Sequence, residues 1–95
     1  MLIIGGTGFI GRWIVRAVVE QAHEVRVFHR GRTIATLPPS VSHIQGERAE
    51  LPGFAALFHA RAPDVVLDTF AYDRDDLALV ARVMEEIPCR FVLLS

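Results

Sequence analysis

Lysine is absent from this sequence, and all ten basic residues are arginine. Any mechanism that needs a lysine amine, as a Schiff-base former or as the cation that acidifies a neighbouring phenol, is therefore excluded for these residues. Cysteine occurs once, at Cys89, so no intrachain disulfide can form. The four histidines, His23, His29, His43 and His59, are scattered along the chain. That scatter reads as surface or partly buried side chains, and it offers no ligand spacing for zinc. No apolar run approaches the roughly 20 residues that span a bilayer. No basic stretch precedes Leu2-Ile3-Ile4, so a leader signature is missing and a cytoplasmic location is expected. Nor is charge of one sign in excess. Ten basic against eleven acidic residues leave a net charge of −1, which removes the bulk electrostatic basis for binding nucleic acid.

What is present is apolar and regularly punctuated. With 52% hydrophobic residues in 95, the chain allows one small domain, 1–95. Met1 to Ile4 forms a short strand that runs into glycines. From Phe9 to Ala22, Ile10, Ile14, Val15, Val18, Val19 and Ala22 recur at helical spacing, with Arg12, Arg16 and Glu20 on the wet face. Glu24 to Phe28 reads as a second strand closed by Gly31, and Ser42 to Gln45 as a third. Pro52 is placed to open a helix that Pro63 stops. Val65-Val66-Leu67, between Asp64 and Asp68, has the continuous apolar character of a parallel strand buried on both faces. Asp73, Asp75 and Asp76 crowd the start of another helix, where carboxylates complement the dipole. Its stripe is Leu77, Val80, Ala81, Met84 and Ile87, and Pro88 ends it. Arg90 to Leu94 is a fifth strand and reads as buried. Strands alternating with helices imply a three-layer α/β fold, a parallel sheet with right-handed crossovers.

The segment richest in chemistry is Gly5-Gly6-Thr7-Gly8-Phe9-Ile10-Gly11, between a strand and an amphipathic helix. Gly5 permits a tight turn out of the strand, Gly8 lets backbone approach a pyrophosphate, and Gly11 lets the helix pack closely on the sheet. The phosphates would sit at the helix N-terminus, where unpaired N–H groups and the dipole favour an anion. Three glycines alone are a weak signal. A strand before, a helix after and a unit of about thirty residues are the context that a dinucleotide fingerprint requires.

The Gly-x-x-Gly-x-x-Gly spacing, with Thr7-Gly8-Phe9-Ile10-Gly11 inside it, resembles the NAD(P)-dependent epimerase/dehydratases, the extended and atypical short-chain dehydrogenase/reductases. The resemblance runs along essentially the whole chain. Glu24 to Arg32 is similar to the family's second strand and turn, and Gly46-Glu47-Arg48 to its Gly-Asp-Arg segment, with Glu in place of Asp. Asp64 to Asp68 followed by Ala71 resembles the fourth strand and its adenine-side loop. Phe91 to Ser95 resembles the fifth strand, which in the family runs into the active site. The resemblance implies a Rossmann fold with strand order 3-2-1-4-5, truncated after strand five. It also implies a cofactor site that draws on Gly5, Thr7, Gly8, Phe9, Ile10 and Gly11.

Cofactor preference is read where the second strand ends. An NAD enzyme places a carboxylate there, about twenty residues past the loop, to bond the ribose 2′-hydroxyl. Here Phe28 and His29 occupy that place, and Arg30 and Arg32 flank Gly31. Two guanidinium forks suit a 2′-phosphate, so NADP is expected over NAD, though both arginines could simply solvate a turn. Glu47 and Arg48 are candidates for the adenine edge, through a side-chain acceptor and a backbone N–H. Thr69, Phe70 and Ala71 would line adenine and ribose. Asp68 is equally suited to a loop backbone and to a ligand.

The family's Tyr-x-x-x-Lys proton-transfer pair has no counterpart. The single tyrosine, Tyr72, follows the fourth strand, and there is no lysine to accompany it. The expectation is a dinucleotide-binding portion of an epimerase, dehydratase or reductase that does not catalyse by itself. Two alternatives stand beside it: a non-catalytic member that senses NADP or associates with RNA or regulators, and a remnant without ligand. A strand-five edge lacking a neighbour would also favour self-association.

Overall fold

The computed structural model describes residues 1–5, 9–21, 23–31, 37–69 and 74–93, without the side chains of Phe9 and Ile10. Its elements run β1 (Leu2–Ile4), α1 (Phe9–Glu20), β2 (Arg26–His29), β3 (Ser42–Gln45), a 3-10 helix (Arg48–Phe54), α2 (Ala55–Ala60), β4 (Val65–Asp68), α3 (Arg74–Val83) and β5 (Arg90–Leu93). The five strands form one sheet in the order β3-β2-β1-β4-β5. Every pairing is parallel: Leu2 lies beside Arg26 and Val66, Arg26 beside Ser42, and Val65 beside Arg90. The expected order and strand direction are both present.

Side chains alternate across a strand, so each strand feeds two cores. On one face Leu2, Ile4, Phe28 and Val66 pack with Leu51 and Phe58 and with Val80, Val83, Met84 and Ile87. On the other, Ile3, Val25, Val27, Val41 and Leu67 pack with Val15 of α1. The result is helix, sheet, helix in three layers. Phe58 is wholly buried, and Phe54 meets Phe28 edge-on with ring centroids 5.2 Å apart. Burying a side chain of this size stabilises by about 1.5–3 kcal/mol, so the central strands and Phe58 dominate the stability. No helix is long and apolar enough to cross a membrane among the described residues.

Four local features differ from the expectations. The second strand begins two residues later than expected and ends one later, at Arg26–His29. The third connection begins its helical course at Arg48, and Pro52 lies inside the 3-10 helix instead of opening a helix. Lacking an N–H, Pro52 withholds one bond from the ladder, and regular α-helix starts only at Ala55. The helix α3 stops at Val83, before Pro88, with Glu86 in the left-handed region at φ 69°. The helix gives way to turns over residues 84–86, closed by the left-handed Glu86 before Pro88 is reached. Finally, β5 is exposed and not buried: Phe91, Val92 and Leu93 are each 40–41% exposed.

Candidate functional site

The carboxyl ends of β1, β2, β3 and β4 lie along one rim of the sheet, at Ile4, His29, Gln45 and Asp68. Strand order reverses between β1 and β4, and it is outside the carboxyl ends at such a switch that open α/β sheets form a ligand crevice. Gly5 leaves β1 with φ 99°, a backbone that side chains resist, and its N–H donates to Phe28 O at 2.9 Å. Gly11 is buried within α1, as close helix–sheet packing demands. Thr7, Gly8, Arg32, Phe70 and Ala71, with the side chains of Phe9 and Ile10, lie outside the described residues.

At the β4 end, Thr69 is tied to β1. Its N–H and its hydroxyl both donate to Ile4 O, at 3.0 and 2.8 Å. Asp68, wholly buried, receives the Arg48 guanidinium in a two-pronged pair: Nη1 to Oδ1 at 3.1 Å and Nη2 to Oδ2 at 2.6 Å. Arg48 Nη2 also donates to Asp76 O at 2.9 Å, and Nε lies 3.5 Å from Asp76 Oδ1. One side chain thus clamps the 3-10 helix to β4 and α3. The sequence offered loop backbone or ligand as partners of Asp68, and this guanidinium was on neither list. What Arg48 has for an adenine edge is its backbone, since its guanidinium is committed. Beside it, the Glu47 N–H donates to Glu50 Oε1 at 2.7 Å, which steadies the turn after β3.

The end of β2 carries the feature that sequence reading missed. His29 and His43 meet across β2 and β3, Nε2 to Nδ1 at 2.9 Å, with rings nearly perpendicular and centroids 5.0 Å apart. Scattered in the chain, the two are neighbours because Val27 pairs with His43 and His29 with Gln45. That places them at diagonal positions on one face of adjacent parallel strands. Partial burial, and then the neighbouring His43, push the His29 pKa below its ordinary value. His29 Nδ1 is buried without a hydrogen-bond partner. The turn beyond is held by β3 as well: Gln45 Nε2 donates to Arg30 O at 3.4 Å, and Gly46 N–H to His29 O at 2.9 Å. Gly31, at φ 79°, lies so close that an added Cβ would stand 2.5 Å from Gln45 Nε2. Arg30 is exposed at this rim. No group of three or more His, Cys, Asp or Glu residues could hold a metal among the described residues.

Residues 1–87 match the model of the NAD dependent epimerase/dehydratase family. Among curated proteins, the chain is 37% identical over 82 residues to 2′-dehydrokanamycin reductase of Streptomyces kanamyceticus, covering 86% of this chain and 23% of that protein. It is 27% identical to the chloroplast stem-loop binding protein of 41 kDa b of Arabidopsis thaliana, covering 93% of this chain and 26% of the relative. The chain thus spans about a quarter of the length of these relatives. Among solved structures, UDP-glucose 4-epimerase of Thermotoga maritima with UDP-glucose superposes with a TM-score of 0.82 at 15% identity, over 97% of this chain and 36% of that one. The Bordetella bronchiseptica enzyme WbmG in complex with NAD gives 0.75 at 24% identity, over 97% and 36%. At these identities the structural likeness speaks for the fold.

Proposed function

The chain belongs to the NAD dependent epimerase/dehydratase family, and on that footing we propose that it holds NADP(H), in preference to NAD(H), at the carboxyl ends of β1, β2 and β4. The observation that carries the preference is the β2 end. His29 stands where an NAD site needs a carboxylate, and exposed Arg30 follows it. Gly5, Thr7, Gly8, Phe9, Ile10 and Gly11 cradle the pyrophosphate, and His29, Arg30 and Arg32 take the 2′-phosphate. Glu47, the Arg48 backbone, Thr69, Phe70 and Ala71 border adenine and ribose. The nicotinamide, when bound, supplies hydride chemistry, and this chain's residues bind and orient it.

With no lysine and no Tyr-x-x-x-Lys pair, these 95 residues hold cofactor and do not turn over substrate. The whole protein's reaction is a reduction or epimerisation of the kind its relatives' names describe. Titrating NADPH and NADH separately into the chain tests the reading. Joint replacement Arg30→Ala and Arg32→Ala should weaken NADPH at least tenfold, the equivalent of about 1.4 kcal/mol, and NADH less than threefold. Equal losses would overturn the NADP preference. If neither nucleotide raises the melting temperature at millimolar concentration, the chain is a remnant without ligand.

A second reading is supported by the likeness to the chloroplast stem-loop binding protein: contact with a nucleic-acid stem-loop, here taken as RNA. Its test is a gel shift with hairpin RNA over a salt series. A protein with a net charge of −1 should give no shift at physiological salt if the first reading is right.

A further inference from the structure

We propose that His43 is a positioning residue for cofactor choice: through its hydrogen bond it lets His29 take up a proton when an anionic 2′-phosphate arrives, so that NADP(H) binding, and not NAD(H) binding, depends on pH. This rests on the reading of the β2 end as the ribose 2′ position. His43 lies outside every motif in the chain and enters only through the geometry.

Two imidazoles sharing one hydrogen bond must supply one donor and one acceptor. With Nε2 of His29 and Nδ1 of His43 at 2.9 Å, only one of the two facing nitrogens can carry a proton. The pair therefore holds at most one positive charge while the bond stands. A first added proton is shared by the two rings, and a second breaks the contact. Without ligand that first proton is also disfavoured, since burial and the proximity of His43 both hold His29 neutral. Among the described residues, the elements around the pair carry these charged groups. β2 continues into Arg30 and β3 into Glu47, and α1, over the same face of the sheet, carries Arg12 and Arg16. Among these, His43 is the group whose charge acts on His29.

A 2′-phosphate changes that balance. A phosphomonoester carries −1.5 to −2 charges near neutrality, and such a charge beside an imidazole favours the cation. A ligand that raises the pKa of a group takes up a proton as it binds, and its affinity falls as pH rises through the raised value. The proton comes from solvent. A 2′-hydroxyl carries no charge and leaves the pair as it was. His43 matters because it holds His29 neutral until the phosphate arrives, so that His29 has a proton to take up. Glutamine at that position keeps a hydrogen-bonding side chain and cannot be charged.

The test is calorimetric titration of the full chain at pH 6.5 in two buffers of different ionisation enthalpy, which counts protons exchanged per ligand. Wild type should take up about half a proton with NADPH and close to none with NADH. His43→Gln should lower the NADPH uptake by at least half. The phosphate's own ionisation is common to both proteins, so it cancels in the comparison. NADPH binding with equal proton uptake in wild type and variant would overturn the proposal and leave the cofactor reading standing. No NADPH binding at any pH would overturn both. Imidazole NMR of wild type needs no variant: NADPH at pH 7 should move the His29 and His43 resonances toward the imidazolium position and NADH should not. Resonances unmoved by saturating NADPH would equally overturn the proposal.

Discussion

The Asp68 carboxylate is wholly buried, and two guanidinium nitrogens of Arg48 reach it. A buried charge left without its partner is costly, whereas replacing both partners by apolar groups can be nearly neutral. Asp68→Ala should therefore destabilise the chain by about 3 kcal/mol in urea unfolding, and the double replacement with Arg48→Met should recover at least about 1 kcal/mol of that. A ligand-binding role for Asp68 alone would instead weaken nucleotide with little loss of stability. His29 offers a second residue-scale test. Burial and His43 hold its folded pKa below the ordinary value of 6.5. The stability present above that value is then lost as pH falls through the folded one, because the unfolded chain binds the proton more readily. The melting temperature without ligand should be lower at pH 5.5 than at 7.5, and His29→Gln should shrink the difference. An unchanged difference would assign the acid loss to other groups. Neither the Arg48–Asp68 clamp nor the His29–His43 pair is visible as spacing: strand register joins the histidines 14 positions apart, and packing of the 3-10 helix against β4 joins Arg48 to Asp68 across 20.

Elements were more legible than side-chain partners. The apolar triplet Val65-Val66-Leu67 and the helical spacing of Ile14, Val15, Val18 and Val19 are local signals, and β4 and α1 stand where those signals place them. Boundaries were harder because they depend on hydrogen bonds that neighbours supply. β2 extends to His29 where Gly46 N–H donates to its carbonyl, and α3 ends in turns closed by the left-handed Glu86. The turn after β2 shows the same dependence, since Gly31 is confined both by its own φ of 79° and by the Gln45 side chain from β3. Gly31→Ala should cost about 1–2 kcal/mol, from left-handed backbone and overpacking together. It should also displace the neighbouring arginines, so that NADPH affinity falls more than NADH affinity at equal folded fraction. Chemical denaturation and paired titrations at low temperature read the two effects separately.

Across the whole molecule, parallel pairing and a two-faced core follow from alternation and the strand order from the family resemblance, while the exposure of β5 follows from neither. Phe91-Val92-Leu93 has the composition of a buried strand, yet burial depends on what covers it, and composition carries no record of the cover. The outer edge of β5 ends the sheet, and side chains on both its faces are about 40% exposed. By register, Phe91 and Leu93 follow Val66 and Asp68 on one face, and Val92 follows Leu67 on the other. An apolar strand with free N–H and C=O groups is a template for another strand, and the natural complement is the same edge of a second molecule. The chain should therefore associate with itself, its weight-average mass in sedimentation equilibrium rising with concentration. Val92→Lys places a charge on that edge without disturbing a buried side chain. It should return the molecule to a monomer at the same concentration. A wild type that stays monomeric into the hundreds of micromolar would show that the exposed edge is too short or too twisted to pair.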